Sequence, residues 1–395
     1  MKLYLSVLLV LIVSTSSCSL LEEADNADFN SELTSSEFYM RGFAIDVGGS
    51  SCAAEFDAGI KCWGSTNANG ELGNGTTGNS STTNPIPVNV LHISSATTEI
   101  SVGGNHSCAI LSDGTVRCWG MGNSGQLGDG TSTTSNIPVT VSGISTATSV
   151  SAGSNHSCAL LPGGTVQCWG NNGNGRLGDG TTTNRSTPVT VSGIFTATSV
   201  SAGINHSCAV LSNGTVQCWG MGDQGQLGDG TTTNSSTPVT VSGISTATSV
   251  SAGSNHSCAL LSGGTVQCWG YNNSGQLGDG TTTNRSTPVT VSDISTAIEV
   301  SAGVAHNCAL LSGGIVQCWG SNDNGRLGDG TTTNSSTPVT VSGISSATSV
   351  SAGGSHSCAL FSNNELQVKC WGMNQSGQLG DGSTTSSSTP VTVIF

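Results

Sequence analysis

The chain is poor in charge, in aromatics and above all in basic residues. Only 8 % of its 395 residues are charged and only 4 % are aromatic. Nine Lys and Arg face 23 Asp and Glu, for a net charge of −14. Binding to DNA or RNA by phosphate neutralisation needs clustered cations, so a nucleic acid is excluded as an expected partner. The usual helix formers are scarce as well, which argues against a helical domain. After residue 18 no run is apolar enough to cross a membrane. What the chain has instead is 56 Gly, abundant Ser and Thr, and 15 Cys. That composition suits short strands joined by glycine-rich turns. So many cysteines point to an oxidising compartment or to metal or redox use.

The first segment selects among these. Lys2 precedes an apolar stretch, Leu3–Val13, and then Thr15-Ser16-Ser17-Cys18. An eleven-residue apolar core is short for a membrane span and suits an export signal. Small residues before a cysteine resemble the bacterial lipobox, although Thr15 stands where that motif usually has Leu. Residues 1–18 therefore read as a signal ending at a lipidated Cys18, with plain secretion and a retained anchor as the alternatives. Cys18 is also the odd cysteine, since the other fourteen fall into pairs. The expected location is the cell envelope, as an outer-membrane lipoprotein, or the secreted fraction. Residues 19–42 hold six acids and Arg41 with no clear period, and read as a flexible tether.

Residues 43–395 repeat seven times. Cys108, Cys158, Cys208, Cys258, Cys308 and Cys358 are 50 residues apart, and Cys52 lies 56 before Cys108 because residues 76–94 hold extra length. The unit from Ala197 has strand-like runs at Thr198–Ala202, Ser207–Leu211, Thr215–Trp219 and Pro238–Val241, with a Ser-Asn-Gly hairpin signal between the second and third. Four strands in each of seven 50-residue units predict an all-β, seven-bladed β-propeller.

Cys158 and Cys168 face each other when that hairpin is folded about Gly163, at a Cα separation of about 4.5 or 5.5 Å. The same folding pairs Cys52 with Cys62, Cys108 with Cys118, Cys208 with Cys218, Cys258 with Cys268 and Cys308 with Cys318. Cys358 and Cys370 are two residues further apart, which adds one residue to each arm and keeps the parity. Seven disulfides within blades are expected in place of free thiols or zinc.

The run G-x-N-H-S-C-A-L-L-x-x-G-x-V-x-C-W-G-x-x-x-x-G-Q-L-G-D-G resembles the regulator of chromosome condensation repeat. The resemblance covers residues 43–395, and the first unit departs from it, with Ser50 for His and Asn74 for Asp. It implies a seven-bladed propeller. Its eukaryotic founder promotes nucleotide exchange on the Ran GTPase and binds chromatin, and related bacterial propellers include a secreted β-lactamase inhibitor. Function does not travel with a fold.

Most repeated residues read as scaffold. The six His from His106 to His356 are too far apart to share a metal and are expected to hydrogen-bond within the structure. The seven Trp are expected to fill the space between blades. Leu177 and its equivalents should pin the long loop before the outer strand. Asp129 and its equivalents should cap turns, since their loops lack calcium-binding spacing. Gly120–Gly125 matches G-x-G-x-x-G, but no helix follows it. Sequons such as Asn155, Asn205 and Asn234 arise easily in this composition. No nucleophile–base pair or unique acid cluster marks an enzyme, a carbohydrate-degrading one included, and no cofactor or metal is expected.

Function is sought where the blades differ. The residue after each Trp-Gly opens the loop between the third and fourth strands. It is Ser65, Met121, Asn171, Met221, Tyr271, Ser321 and Met373 in turn. The loop between the first two strands varies too, with Ile204 and Val304 as its large apolar members. Strand parity places both sets at one end of the ring. Of these, Met121, Asn171, Ile204, Met221, Tyr271, Val304, Ser321 and Met373 form the expected binding face. Exposed Met and Tyr beside a polar rim suit a protein partner, contacted by a monomeric, non-enzymatic propeller touching membrane only through its N-terminal lipid.

Overall fold

A computed structural model describes residues 43–55, 59–79, 83–93, 96–362 and 366–395. The signal, Cys18 and the 19–42 tether lie outside the described residues. Seven four-stranded antiparallel sheets follow one another along the chain, and each is built from consecutive strands in sequence order. We call the strands of a blade A to D from the channel outward. In blade 4 they are Ala197–Ala202, His206–Leu211, Val216–Gly220 and Ser235–Thr240. The expected runs lie within a few residues of these, and the outer strand starts earlier than the sequence suggested.

Composition explains the layering. Strand B is buried along its length (His256-Ser-Cys-Ala-Leu) because a neighbouring blade covers each face. Strand D alternates between half-buried and exposed and carries a proline in blades 2 to 7, such as Pro238. A proline on an outer edge removes a donor that could recruit another strand.

Among the described residues the core is divided into seven clusters. Each apolar cluster joins the back of one blade to the front of the next. Leu160, Val166, Leu177, Val191 and Ile194 of blade 3 pack with Val200, Ala209 and Trp219 of blade 4. The same arrangement recurs around the ring, and Leu360, Val368 and Leu379 of blade 7 meet Ile45, Ala53 and Trp63 of blade 1. All seven Trp are fully buried at these seams. Each indole N–H donates to a carbonyl of the preceding blade, as Trp219 does to Arg176 at 2.9 Å. The ring closes by the same bond, from Trp63 to the Gln378 carbonyl, and among the described residues blades 1 and 7 are each built from their own four consecutive strands. Gly178 is glycine because its φ is +68° and a Cβ would lie 2.8 Å from the Trp219 indole nitrogen.

All seven cysteine pairs are disulfides within blades, from Cys52–Cys62 to Cys358–Cys370. Cys158 stands directly opposite Cys168 in the ladder. The Cα atoms are 4.0 Å apart in that pair, closer than the separation expected from ideal strands. In blade 7 the two extra residues lengthen both arms and the facing is kept.

Candidate binding face and channel

The A–B and C–D loops emerge at the same end of the ring, and a backbone bond joins them within each of blades 2 to 7. Met221 N–H donates to the Asn205 carbonyl, and Met121, Asn171, Tyr271, Ser321 and Met373 repeat this bond with their own A–B loops. The two variable sets are therefore contiguous. Their exposure differs from expectation. Met121, Asn171, Ile204, Met221, Tyr271 and Met373 are half-buried. Val304 is exposed at 39 %. Ser321 is buried, and its hydroxyl donates to Asp323 at 3.1 Å, so it offers little to a partner. The opposite end carries more exposed apolar side chains, namely Phe195, Ile298 and Ile315, which stand on separate loops and strands.

The repeated polar residues form the seams. His206 Nε2 meets Ser257 Oγ of the next blade at 2.8 Å, and Ser257 donates its own proton to the Gln226 carbonyl. The serine must then accept, so the imidazole carries its proton on Nε2. At the next seam the acceptor is Asn307 Oδ1, which leads to the same tautomer for His256. The unprotonated Nδ1 atoms of His106, His156, His206, His256 and His306 are buried with no partner. Burial therefore holds these imidazoles neutral, with pKa values of about 4 for His106, His256 and His356 and about 3 for His206. His156 and His306 are also pushed well below the usual range by burial, then by Arg176 and Arg326 respectively. A structural role fits all six, and among the described residues no group of His, Cys, Asp or Glu could hold a metal.

One seam differs. Ser50 replaces histidine in blade 1, and Ser107 across from it is left buried with its hydroxyl unpartnered. The loop carboxylates behave as turn caps. Asp179 Oδ1 accepts from Thr181 N–H at 3.0 Å, and Asn74 caps Thr76 in the first unit. A buried amide, Asn172, accepts from Leu177 N–H and thereby pins the Leu177 loop.

The channel was not singled out by sequence reasoning. At the loop-bearing end it opens as a cavity of about 290 Å³, lined by the ends of the A strands and the A–B loops. Its rim is glycine in every blade, because adjacent rims touch. A Cβ on Gly203 would lie 2.4 Å from the Gly253 carbonyl oxygen. Deeper on the A strands stand Glu99 and Glu299, at positions where blades 3, 4, 5 and 7 have Ser. Glu99 accepts from Ser149 and Glu299 from Ser349, both at 3.0 Å, each across a seam. Burial raises both carboxyls to about 7. The signal available in the sequence was the breaking of a repeat by a carboxylate on an otherwise hydroxyl-bearing strand.

Solved propellers resemble this chain along most of its length. Human WBSCR16 is 22 % identical, with a TM-score of 0.71, over 79 % of this chain and 85 % of its own. Prp20p of Saccharomyces cerevisiae is 21 % identical, with a TM-score of 0.73, over 92 % of this chain and 90 % of its own. The ectodomain of the Arabidopsis thaliana receptor kinase ACR4 is 20 % identical, with a TM-score of 0.52, over 90 % of this chain and 98 % of its own. At these identities the likeness is one of fold. Residues 59–394 match the model of the RCC1-like domain, and the chain belongs to that family.

Proposed function

We propose that this chain is an exported, non-enzymatic propeller that binds another protein through the end carrying the A–B and C–D loops. The observation that carries the reading is where variation falls. Blades that are near copies differ at Met121, Met221, Tyr271, Met373, Ile204 and Val304, all on loops of one end of the ring, with Ile204 and Val304 lining the channel mouth. Half-buried apolar anchors held on a rigid ring lose little freedom when covered, and a few such anchors dominate many interfaces. Tyr271→Ala combined with Met221→Ala is expected to weaken capture of the native partner at least tenfold and to leave thermal unfolding nearly unchanged. Ser262→Ala at the opposite end should change neither. Loss of capture with Ser262→Ala but not with the Tyr271/Met221 pair would move the face to the other end.

Family likeness supports a second reading. The structures of Prp20p report binding to Gsp1p and histones and a complex with Kap60. Exchange on a small GTPase would need a cytosolic or nuclear meeting, whereas seven disulfides fit an oxidising compartment. Nucleotide release from a captured GTPase, or a captured hydrolase losing activity as with a β-lactamase inhibitor, would decide which kind of partner the face serves. Cys18 supplies the anchor in this reading, with two or more acyl chains giving stable attachment. Labelling with a palmitate analogue should mark the wild type and not Cys18→Ser, and equal labelling would remove the lipid from the proposal.

A further inference from the structure

The residue before the leucine of each long C–D loop is glutamine in four blades, and its side-chain oxygen closes its own loop. Gln226 Oε1 accepts from Gln224 N–H at 2.8 Å, and Gln126, Gln276 and Gln378 repeat the bond. Glu71 does the same in blade 1, accepting from Asn69 N–H. Blades 3 and 6 have Arg176 and Arg326 at this position. A guanidinium has no acceptor, so it cannot close the loop. It reaches across the seam instead. Arg176 Nη1 donates to the Ile204 carbonyl of blade 4 at 3.0 Å, and Arg326 Nη1 to the Gly354 carbonyl of blade 7 at 3.3 Å. Both arginines are buried, at 5 % and 7 % exposure.

The two arginines differ in what meets the other edge of the guanidinium, where Nε and Nη2 lie side by side at a spacing that the two oxygens of a carboxylate match. In blade 6 Asp323 occupies that edge. Its carbonyl accepts from Nε at 3.1 Å, and its carboxylate lies 3.8 Å from Nη2. The Asp323 side chain is 74 % exposed, so the edge opens at the surface. In blade 3 the equivalent of Asp323 is Gly173. Arg176 Nε is buried there with no partner, and Nη2 donates to no described residue. The described ion pairs join Arg185 to Asp179, Arg285 to Asp279 and Arg326 to Asp323, and none reaches Arg176. Of the other acids at this end, Asp46 stands on blade 1 and Asp223 accepts from Gln226. The place of the missing carboxylate is open. Gly173 is exposed, and apart from its chain neighbours a Cβ on it would meet only Asn171 Oδ1, at 3.5 Å. A buried cation without a counter-charge is costly. Burial alone pushes the Arg176 guanidinium below its usual range, whereas Asp323 opposes that push at Arg326.

We propose that the Nε–Nη2 edge of Arg176, beside Gly173, is a carboxylate-binding site that takes one Asp or Glu side chain of the partner protein. This rests on the reading that this end of the ring binds a protein, and it supplies the chemistry of the contact. The site lies between two of the variable residues, because Asn171 opens the same loop and Ile204 carries the carbonyl that Nη1 holds. The net charge of −14 opposes an acidic partner at long range, but salt screens that repulsion beyond about 8 Å, so recognition is a matter of contact.

The test follows the Arg176 Nε–H resonance of the full chain as Nα-acetyl-aspartate methylamide, or the neutral Nα-acetyl-asparagine methylamide, is added. The aspartate analogue is expected to shift that resonance and to bind about tenfold or more tightly than its neutral counterpart. Arg176→Gln, which makes blade 3 like the four glutamine blades, should abolish the preference with little change in thermal unfolding. Gly173→Asp, which gives blade 3 the carboxylate of blade 6, should shift the resonance without any analogue and block the site while Arg176 is intact. Equal binding of the two analogues, a preference that survives Arg176→Gln, or one that Gly173→Asp leaves unchanged would overturn the proposal. The two readings separate cleanly. A carboxylate preference without dependence of capture on Tyr271 and Met221 would refute the face and keep the site, and the reverse result would refute the site and keep the face.

Discussion

Acidification from pH 7 to pH 5 is expected to destabilise the propeller by several kcal/mol and to unfold it cooperatively near pH 5. Six buried imidazoles are responsible. Their folded pKa values are depressed, to about 4 for His106, His256 and His356 and about 3 for His206, and well below normal for His156 and His306. Stability from such a group is present above its unfolded pKa of about 6.5 and is lost as pH falls toward the folded value, because only the unfolded chain takes up the proton. Each contributes about 2 kcal/mol of loss between pH 7 and pH 5, and the six together about 10 kcal/mol.

Glu99 and Glu299 act in the opposite sense. Their folded pKa values are raised to about 7, so their contribution is fully present below about 4.5 and is lost as pH rises through 7. Over the same interval they offset about 4 kcal/mol, which leaves the histidines dominant. A net loss of that size is comparable with the whole stability of a typical domain. Near-UV circular dichroism of the seven buried Trp against pH measures the transition. His206→Gln, which keeps a side-chain donor, should reduce proton uptake on unfolding by about one. Glu299→Gln should stabilise the ring above pH 7 and have no effect below pH 4.5. A flat stability profile between pH 7 and pH 4.5 would refute neutral burial of the histidines.

Reduction is expected to have the second large effect, but only through the unfolded state. All fourteen paired cysteines are fully buried, so reductant should leave the native ring intact and act at the rate of unfolding. Each bridge closes a loop of about ten residues, worth about 3 kcal/mol in the chain-entropy model. Cys208→Ala with Cys218→Ala should cost about 2–3 kcal/mol and loosen blade 4 more than the blades across the ring, as hydrogen exchange would show. A chain reduced in denaturant should fail to regain its near-UV signal until it is reoxidised. Rapid modification of cysteines under native conditions, or bridges between blades in non-reducing peptide maps, would contradict the pairing.

Sequence periodicity alone established the architecture, because the information needed was local. A 50-residue repeat containing a hairpin sets four strands, and hairpin parity sets Cys158 opposite Cys168, whatever surrounds them. The Cys358–Cys370 pair was legible for the same reason, since adding one residue to each arm preserves facing. The shared end of the A–B and C–D loops also follows from strand alternation.

What the tertiary structure decided were the relations between residues about fifty positions apart. The sequence marks His206 and Ser257 as repeated residues, but only docking of one blade on the next makes them a pair and selects the tautomer. It marks Met221 as variable, but packing in the ring leaves it half-buried, and Ser321 is buried outright. Asp46 and Ser351 are separated by nearly the whole domain and come within 2.8 Å only because the ring closes. Hairpin contacts are encoded within a few residues of chain. Contacts across a seam depend on the angle at which seven blades meet, and that angle is set by the packing of Trp and glycine at every interface together.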